Sequence, residues 1–532
     1  MARVNTNNTS LRYTIESSIG VAGTAWRIAE FNTIGSYGAT IATTVRRPIS
    51  QDRGRKKGTV TDLDSVVEFE TDLTWDAFDD FAEGFVFAEY ANKEFNLRAS
   101  TGTVPPPAAT STTFTVDTIA APMDTKLEFT TSEVATLLYG QGYLESGNNG
   151  LHALTVDPGT GTTLTVSGST LVVETPPVNA SLQVAGVRIL NDADLTLTVS
   201  GSFPNQTATL ASGAALAASG TTTWADLGLF DGMFIHIGSL TSTGTLQNAL
   251  GAAGTASYGY ARITGGTGTT TLQLDKISST LSTATGAATF SQDIMFGRFL
   301  RNVAVTAAST DSEYLERTYQ FEVDYPDLGG SGTDEYEYAI GNFANEMALN
   351  VPLADKATVN FGFIGTNSDD VTPTRKTGAS SGVSPLRTTA FNTSSDLVSI
   401  TTDVVSAASE ICFKSLTLTL RNNVSPEKCL GTLGATFVNS GLFEVNVEGQ
   451  MLFTNKSIVN AVKNNTTVTF LAILRNEDGA IAFDIPSMNL GGGGREFPVD
   501  QSVLVNLTGE SFTDTTLGHD VGITLFPAVP YA

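Results

Sequence analysis

The sequence is short of cysteine, histidine and charge. Among 532 residues there are 2 Cys, Cys412 and Cys429, so no disulfide framework carries the fold. Two free thiols are expected, with a Cys412–Cys429 bridge as the alternative. The 3 histidines, His152, His236 and His519, have no partner at metal-ligand spacing and read as surface or core residues. Charged residues are 16% of the chain, against about 25% in an average domain. That excludes an acidic disordered tail and a Glu/Lys-rich coiled coil. No apolar run reaches the roughly 18 residues of a membrane span. The opening Met1–Thr6 has no apolar h-region, so the expectation is a chain without a signal peptide, folding in the cytoplasm. Positive charge is scarcest: Lys+Arg 29 against Asp+Glu 54, a net −25. A surface of that sign repels phosphates and argues against sequence-reading nucleic-acid binding.

Catalytic signatures are missing too. No Gly-x-Ser-x-Gly elbow stands between a strand and a helix. Gly491–Gly494 is followed by Arg495-Glu496 rather than the Lys-Ser/Thr of a phosphate loop, and reads as a flexible hairpin tip. Acids are plentiful, yet nothing singles out a glycosidase pair. No catalytic, cofactor-binding or metal site is expected, and the chain is not read as an enzyme.

What the chain does have is Thr, Val and 51 Gly, a β-rich composition. Apolar and acidic residues alternate along Val67-Glu68-Phe69-Glu70-Thr71-Asp72-Leu73, along Tyr319–Tyr325 and along Phe443–Glu448. Period two puts the two sets on opposite faces, as in antiparallel strands with one buried face. One helix is plain. Phe78, Phe81, Ala82 and Phe85 form a single stripe after Trp75, while Asp76, Asp79, Asp80 and Glu83 cover the rest. Ile458, Ala461 and Val462 mark a shorter second helix.

These elements repeat. Val45–Ser50, a loop, Gly58-Thr59, a strand and a helix are followed much later by Leu420–Ser425, a loop, Gly431-Thr432, a strand and a helix. Asn350–Asn360 likewise resembles Glu496–Asn506. A duplicated core is the reading. Pro105-Pro106-Pro107 opens a segment of different composition that ends near Arg298, with its own repeat at Asp157–Val166 and Gly265–Leu274. The expected fold is mainly β. Residues 1–104 and 298–366 make a first core and 391–532 a second, each a β-sandwich with a flanking helix. Two small inserted β modules fill 105–190 and 191–297, and 367–390 is a linker.

Two charge features stand out. Arg46, Arg47, Arg53, Arg55, Lys56 and Lys57 cluster between two strands of an acidic chain. They suggest an arm that docks on an acidic surface of another copy. Glu68, Glu70 and Asp72 on one strand, with Glu322 and Asp324 on another, would line an anionic sheet face that does not adsorb DNA.

With these residues in view, the sequence resembles the tail tube proteins of long-tailed, non-contractile (siphovirus-like) bacteriophages. The resemblance lies in Ser17–Thr24, Arg46–Thr59, Val66–Phe87, Arg317–Tyr325, Tyr338–Asn342 and Leu442–Asn464. The inserted modules are similar to those that decorate such tubes. The order of elements carries the likeness, which covers about 1–100 and 298–532. It implies sandwich cores whose sheets join between subunits into a barrel around a lumen, and an inter-ring loop at Arg46–Lys57. It implies rings that stack into a virion tail tube conducting DNA without specific binding, assembled in the host bacterial cytoplasm. Tape measure, tail terminator and distal tail proteins are the implied partners. Two cores per chain imply a trimeric ring with pseudo-sixfold symmetry; a spurious duplication would return a hexamer. A modular β adhesin or surface-layer protein binding glycans is the alternative, with a carbohydrate-active enzyme third.

Overall fold

The computed structural model describes residues 4–47, 49, 55–92, 108–115, 134–155, 163–166, 171–189, 195–202, 205–212, 223–238, 258–285, 292–306, 314–330, 332–403 and 412–528. Mainly β structure is found. Sixteen strands make one sheet joined by antiparallel ladders. We number its strands in chain order: β1 Ser10–Ile15, β2 Arg27–Ala29, β3 Thr33–Arg46, β4 Lys56–Asp72, β5 Arg298–Arg301, β6 Thr318–Gly330, β7 Thr333–Pro352, β8 Thr358–Gly365 and β9 Asn367–Ser368. The remainder are β10 Leu397–Thr402, β11 Phe413–Arg421, β12 Glu444–Leu452, β13 Thr467–Asn476, β14 Gly479–Glu496, β15 Leu504–Ser511 and β16 Gly522–Phe526. Two helices follow the strands that the pattern named: α1 Trp75–Val86 after β4, and α2 Lys456–Lys463 after β12.

The pairings draw the same diagram twice. In the first half the order is β3-β4-β8-β7-β6-β1. In the second it is β11-β12-β15-β14-β13-β10. Details agree as well. Asn350 faces Thr358 as Glu496 faces Leu504. Ala354 and Asp500, in the turns that follow, share left-handed backbone at φ 56° and 57°. Thr74 and Asn455 cap the two helices with their side-chain oxygens.

The halves are not separate bodies. β7 pairs with β11, so the sheet runs across the boundary. One hydrophobic core lies under both, from Tyr13 and Phe69 to Phe470 and Ile523. β5, from the first half's stretch, pairs with β16 of the second. The expected linker 367–390 is also built in: Ala379 and Arg387 are buried, and β9 pairs with β7.

Helix α1 buries the predicted stripe, with Phe81 4.6 Å from the Tyr13 ring and 4.9 Å from that of Phe361. Its acids correct the sequence reading. Asp76 and Asp79 are buried rather than wet. Asp76 accepts from the backbone N–H of Leu386 and Arg387, and Asp79 pairs with Arg298 at 2.5 Å. Asp80 pairs with Arg27, and Glu83 with Arg317. Asp79, Asp80 and Glu83 therefore balance arginines brought from distant sequence.

The insert also differs from expectation. Ten strands between Val134 and Met295 form one sheet over one core, crossing the boundary between the two expected modules. A three-stranded sheet of Ala108–Ala109, Thr113–Thr115 and Thr163–Thr165 sits beside it. The described parts of the repeat fall in different sheets. Thr163–Thr165 pairs with Thr113–Thr115, whereas Thr271–Asp275 pairs with Thr207–Ala211 and Gly259–Gly265. Short Gly/Thr segments make similar turns wherever they occur. Arg262 fastens the insert to the second half through Asp484 at 2.8 Å.

Candidate assembly surfaces

The longest ladder outside the body is β3 on β4, which continues to the pair Arg46↔Lys56. Strands of this length project a hairpin well beyond the core. Arg46, Arg47, Arg55, Lys56 and Lys57 are all exposed at its tip, together with a fully exposed Ile49. Arg53 lies outside the described residues. Beside the arm, the second half carries a smaller hairpin, Ser425–Glu427 with Phe437–Asn439. Lys428 there reaches Asp62 at 2.7 Å and Asp64 at 2.6 Å on the arm. Its hydrogen bond holds the Asp62 carboxyl below the usual carboxylate range.

At the other end of the same strands lie the turns after β7 and β14. Asp72 and Leu452, which end β4 and β12, pair with the first residues of β8 and β15. Leu353, Asp355, Phe497, Val499 and Asp500 are exposed on these turns. Both halves point the same way, so the molecule has an arm-bearing end and a turn-bearing end.

The sheet face away from α1 is polar through its middle. Paired residues share a face, so register defines its rows. Glu70, Asn360, Ala348, Thr419, Asn446 and Glu510 make one row; Glu68, Gly362, Glu346, Arg421 and Glu444 make the next. Glu68 is exposed and Glu70 and Asp72 are half-buried, as alternation requires. Asp72 also meets Lys356 at 2.7 Å. Glu346, Glu444, Glu448 and Glu510 extend this acidic face. Sequence reasoning left them off the face, because their membership depends on β7–β11 pairing. The alternation at Phe443–Glu448 was the available signal.

Glu322 and Asp324 need correcting. They project from the same side of the sheet, but the segment 369–383 covers them. Glu322 is fully buried; it accepts from Tyr338 Oη at 2.7 Å and from Arg375 at 2.5 Å. Asp324 shares Arg375 at 3.2 Å, and burial pushes its carboxyl up against that pull. These two acids belong to an internal ion cluster, not to the open face. Arg375 could not be foreseen as their partner from strand periodicity.

Other readings change place as well. Gly491–Gly494 is not a hairpin tip but part of β14, beside β15, with φ of 75° and 78° at Gly492 and Gly493. Cys412 and Cys429 are exposed free thiols. His236 and His519 are buried, and burial pushes them down to about 3 and about 4. Among the described residues no group of three His, Cys, Asp or Glu is placed to hold a metal, and no helix is long and apolar enough to cross a membrane.

The model of the phage tail tube protein family matches residues 6–510. The chain belongs to that family. Comparison with curated proteins finds no match. As a phage tail tube protein it is a structural component of a virion tail and self-assembles into a tube. The adhesin, surface-layer and carbohydrate-active readings have no counterpart in the match. The span matched includes both halves and the insert, so the insert is internal to the match rather than an appendage at one end.

Proposed function

We propose that this tail tube protein closes into a ring of three chains, whose six core halves surround a bore, and that rings stack by their arms. One observation carries the reading: the two halves stand side by side in one sheet, in the same order and the same direction. A chain that already joins two cores in a row repeats the joint by rotation, and a closed ring removes open strand edges. The acidic middle face then lines the bore of a non-contractile, siphovirus-like tail. Glu68 and its counterpart Glu448 recur around it and keep DNA from adsorbing during ejection, since the electrostatic term has the wrong sign. Arg46, Arg47, Arg53, Arg55, Lys56 and Lys57 reach the turn-bearing end of the next ring, where Asp355 and Asp500 offer charge and Leu353, Phe497 and Val499 offer apolar surface. Tape measure, terminator and distal tail proteins complete the tail, which assembles in the host cytoplasm.

Electron microscopy of the concentrated protein tests this. Tubes about 100 Å wide are expected, a scale set by sheets and helices wrapped round a bore. A reconstruction should show threefold rings with Glu68 facing the lumen. A protein that stays monomeric under all conditions, or rings of six chains, would refute the proposal.

A further inference from the structure

The basic arm has little of its own to aim it. From Thr40 to Arg46 every residue of β3 is exposed, and between Lys56 and Asp64 only Leu63 of β4 is buried. A two-stranded ribbon with no covered face is marginal and does not keep a fixed direction by itself. Support from β8 stops at Gly365, which faces Ser65. Beyond that pair the edge of β4 has no strand among the described residues.

The second half fills this place. Its β11–β12 ladder ends at Arg421↔Glu444. Counted from the counterparts Glu448 and Glu68, that pair corresponds to Thr40↔Asp64, where the arm begins to project. The second-half chain turns aside there instead. Asn423 has left-handed backbone at φ 47°, and Asn422 Nδ2 donates to the carbonyls of Phe85 and Ala344 at 3.1 and 3.0 Å. Val424 and Val438 are buried with Phe87 and Phe343. The hairpin Ser425–Glu427 with Phe437–Asn439 is thus fastened to the body, and its loop lies along the bare edge of β4. On one face of the arm Lys428 meets Asp62 at 2.7 Å and Asp64 at 2.6 Å. Leu63 points to the other face by alternation. Gly434 lies there, where a Cβ would come 3.4 Å from Leu63 and 2.6 Å from the Thr366 carbonyl oxygen. The Ala435 N–H donates to that same oxygen at 3.2 Å. We infer that this hairpin is a brace that sets the direction of the arm, with Lys428 as its positioning residue. One copy of the repeat projects, and the other aims it. The inference rests on the docking role of the arm above.

Exposed ion pairs hold weakly one at a time, by a factor of about two to five in population. A ring must seat its arms together, so in a ring of three chains the factors multiply to about tenfold or more. A fluorophore on Ile49→Cys, in a background of Cys412→Ser and Cys429→Ser, reports the arm in dilute, unassembled protein. Lys428→Met should lower the anisotropy of that label, and Gly434→Val should do so by pushing the loop off Thr366. Without the label, Lys428→Met should form rings normally and slow their stacking by about tenfold or more, with an unchanged melting temperature. Lys428→Arg should behave as the unmodified protein. Lys428→Glu should stack poorly, and adding Asp62→Lys with Asp64→Lys should restore it. Unchanged anisotropy in both loop variants would overturn the brace, as would a loosened tip with stacking at the normal rate. Slower stacking with a matching fall in melting temperature would assign Lys428 to folding and overturn its positioning role. All three results leave the docking role of the arm in place. Unmodified rings that never stack overturn that role and the purpose of the brace with it.

Discussion

The guanidinium of Arg387 lies 4.0 Å from the centre of the Trp75 ring. This contact ties the stretch between the halves to the start of α1. Arg387 also donates to the carbonyl of Asp478 at 3.2 Å, and Trp75 Nε1 donates to the carbonyl of Phe526 at 3.2 Å. Both residues are buried, so the cation lacks water and depends on the ring and the carbonyls. Arg387→Met should cost about 2–4 kcal/mol, because it leaves the buried carbonyls of Asp478 and Pro527 without the guanidinium that donates to them. Denaturant unfolding measures it, and a loss under about 0.5 kcal/mol would show that the contact is incidental.

Gly84 sits in α1 where a Cβ would come within 2.4 Å of Tyr319 Oη. Helix propensity alone favours alanine there by up to about 1 kcal/mol. The clash should win, and Gly84→Ala should destabilise by about 1–3 kcal/mol. Adding Tyr319→Phe should recover part of the loss, a coupling that a double-mutant cycle reads directly.

Buried His236 is expected to make the fold acid-sensitive. Its folded value, about 3, lies far below the ordinary 6.5 because burial disfavours the imidazolium, with Arg475 adding repulsion. The unfolded chain therefore binds a proton that the folded chain refuses between these values. Stability from this group is complete above about pH 6.5 and falls as pH drops towards the folded value. His236→Phe should remove about 1.4 kcal/mol per pH unit of acid sensitivity between about pH 6 and 4. Thermal melts of the two proteins across that range decide it; parallel curves would dismiss the role.

Charge reversal at the arm tests stacking separately from folding. Arg46→Glu, Arg55→Glu and Lys57→Glu all alter exposed positions. Stability should move by less than about 0.5 kcal/mol per site. Sedimentation should find single rings and no tubes, and tubes of the unmodified protein should weaken as salt rises. Normal tubes from the variant would rule the arm out as the docking element.

Local periodicity made part of this molecule readable. The stripe Phe78-Phe81-Ala82-Phe85 and the alternation Val67–Leu73 express covalent geometry, and both appear as expected. Within 350–360 and 496–506, Asn350 pairs with Thr358 and Glu496 with Leu504. Partners far apart in sequence were not readable. Asp79 looks like a solvated helix acid until Arg298 is placed against it, and Glu322 looks like a wet strand residue until Arg375 covers it. The same holds for the insert: strand signals were visible, but nothing local shows that Ser181–Ile189 pairs with Gln292–Met295 across the supposed module boundary.

The basic arm and the smaller hairpin of the second half leave one end of the sheet, and the turns of both halves leave the other. Any stack built by matching these ends has a direction, like an arrow repeated along a line. One terminus always presents unoccupied arms and the opposite terminus always presents unoccupied turns. Growth at the two termini would therefore proceed at different rates. A protein that starts the column and a protein that stops it would need surfaces of opposite charge, one acidic to receive the arms and one basic to meet the turns.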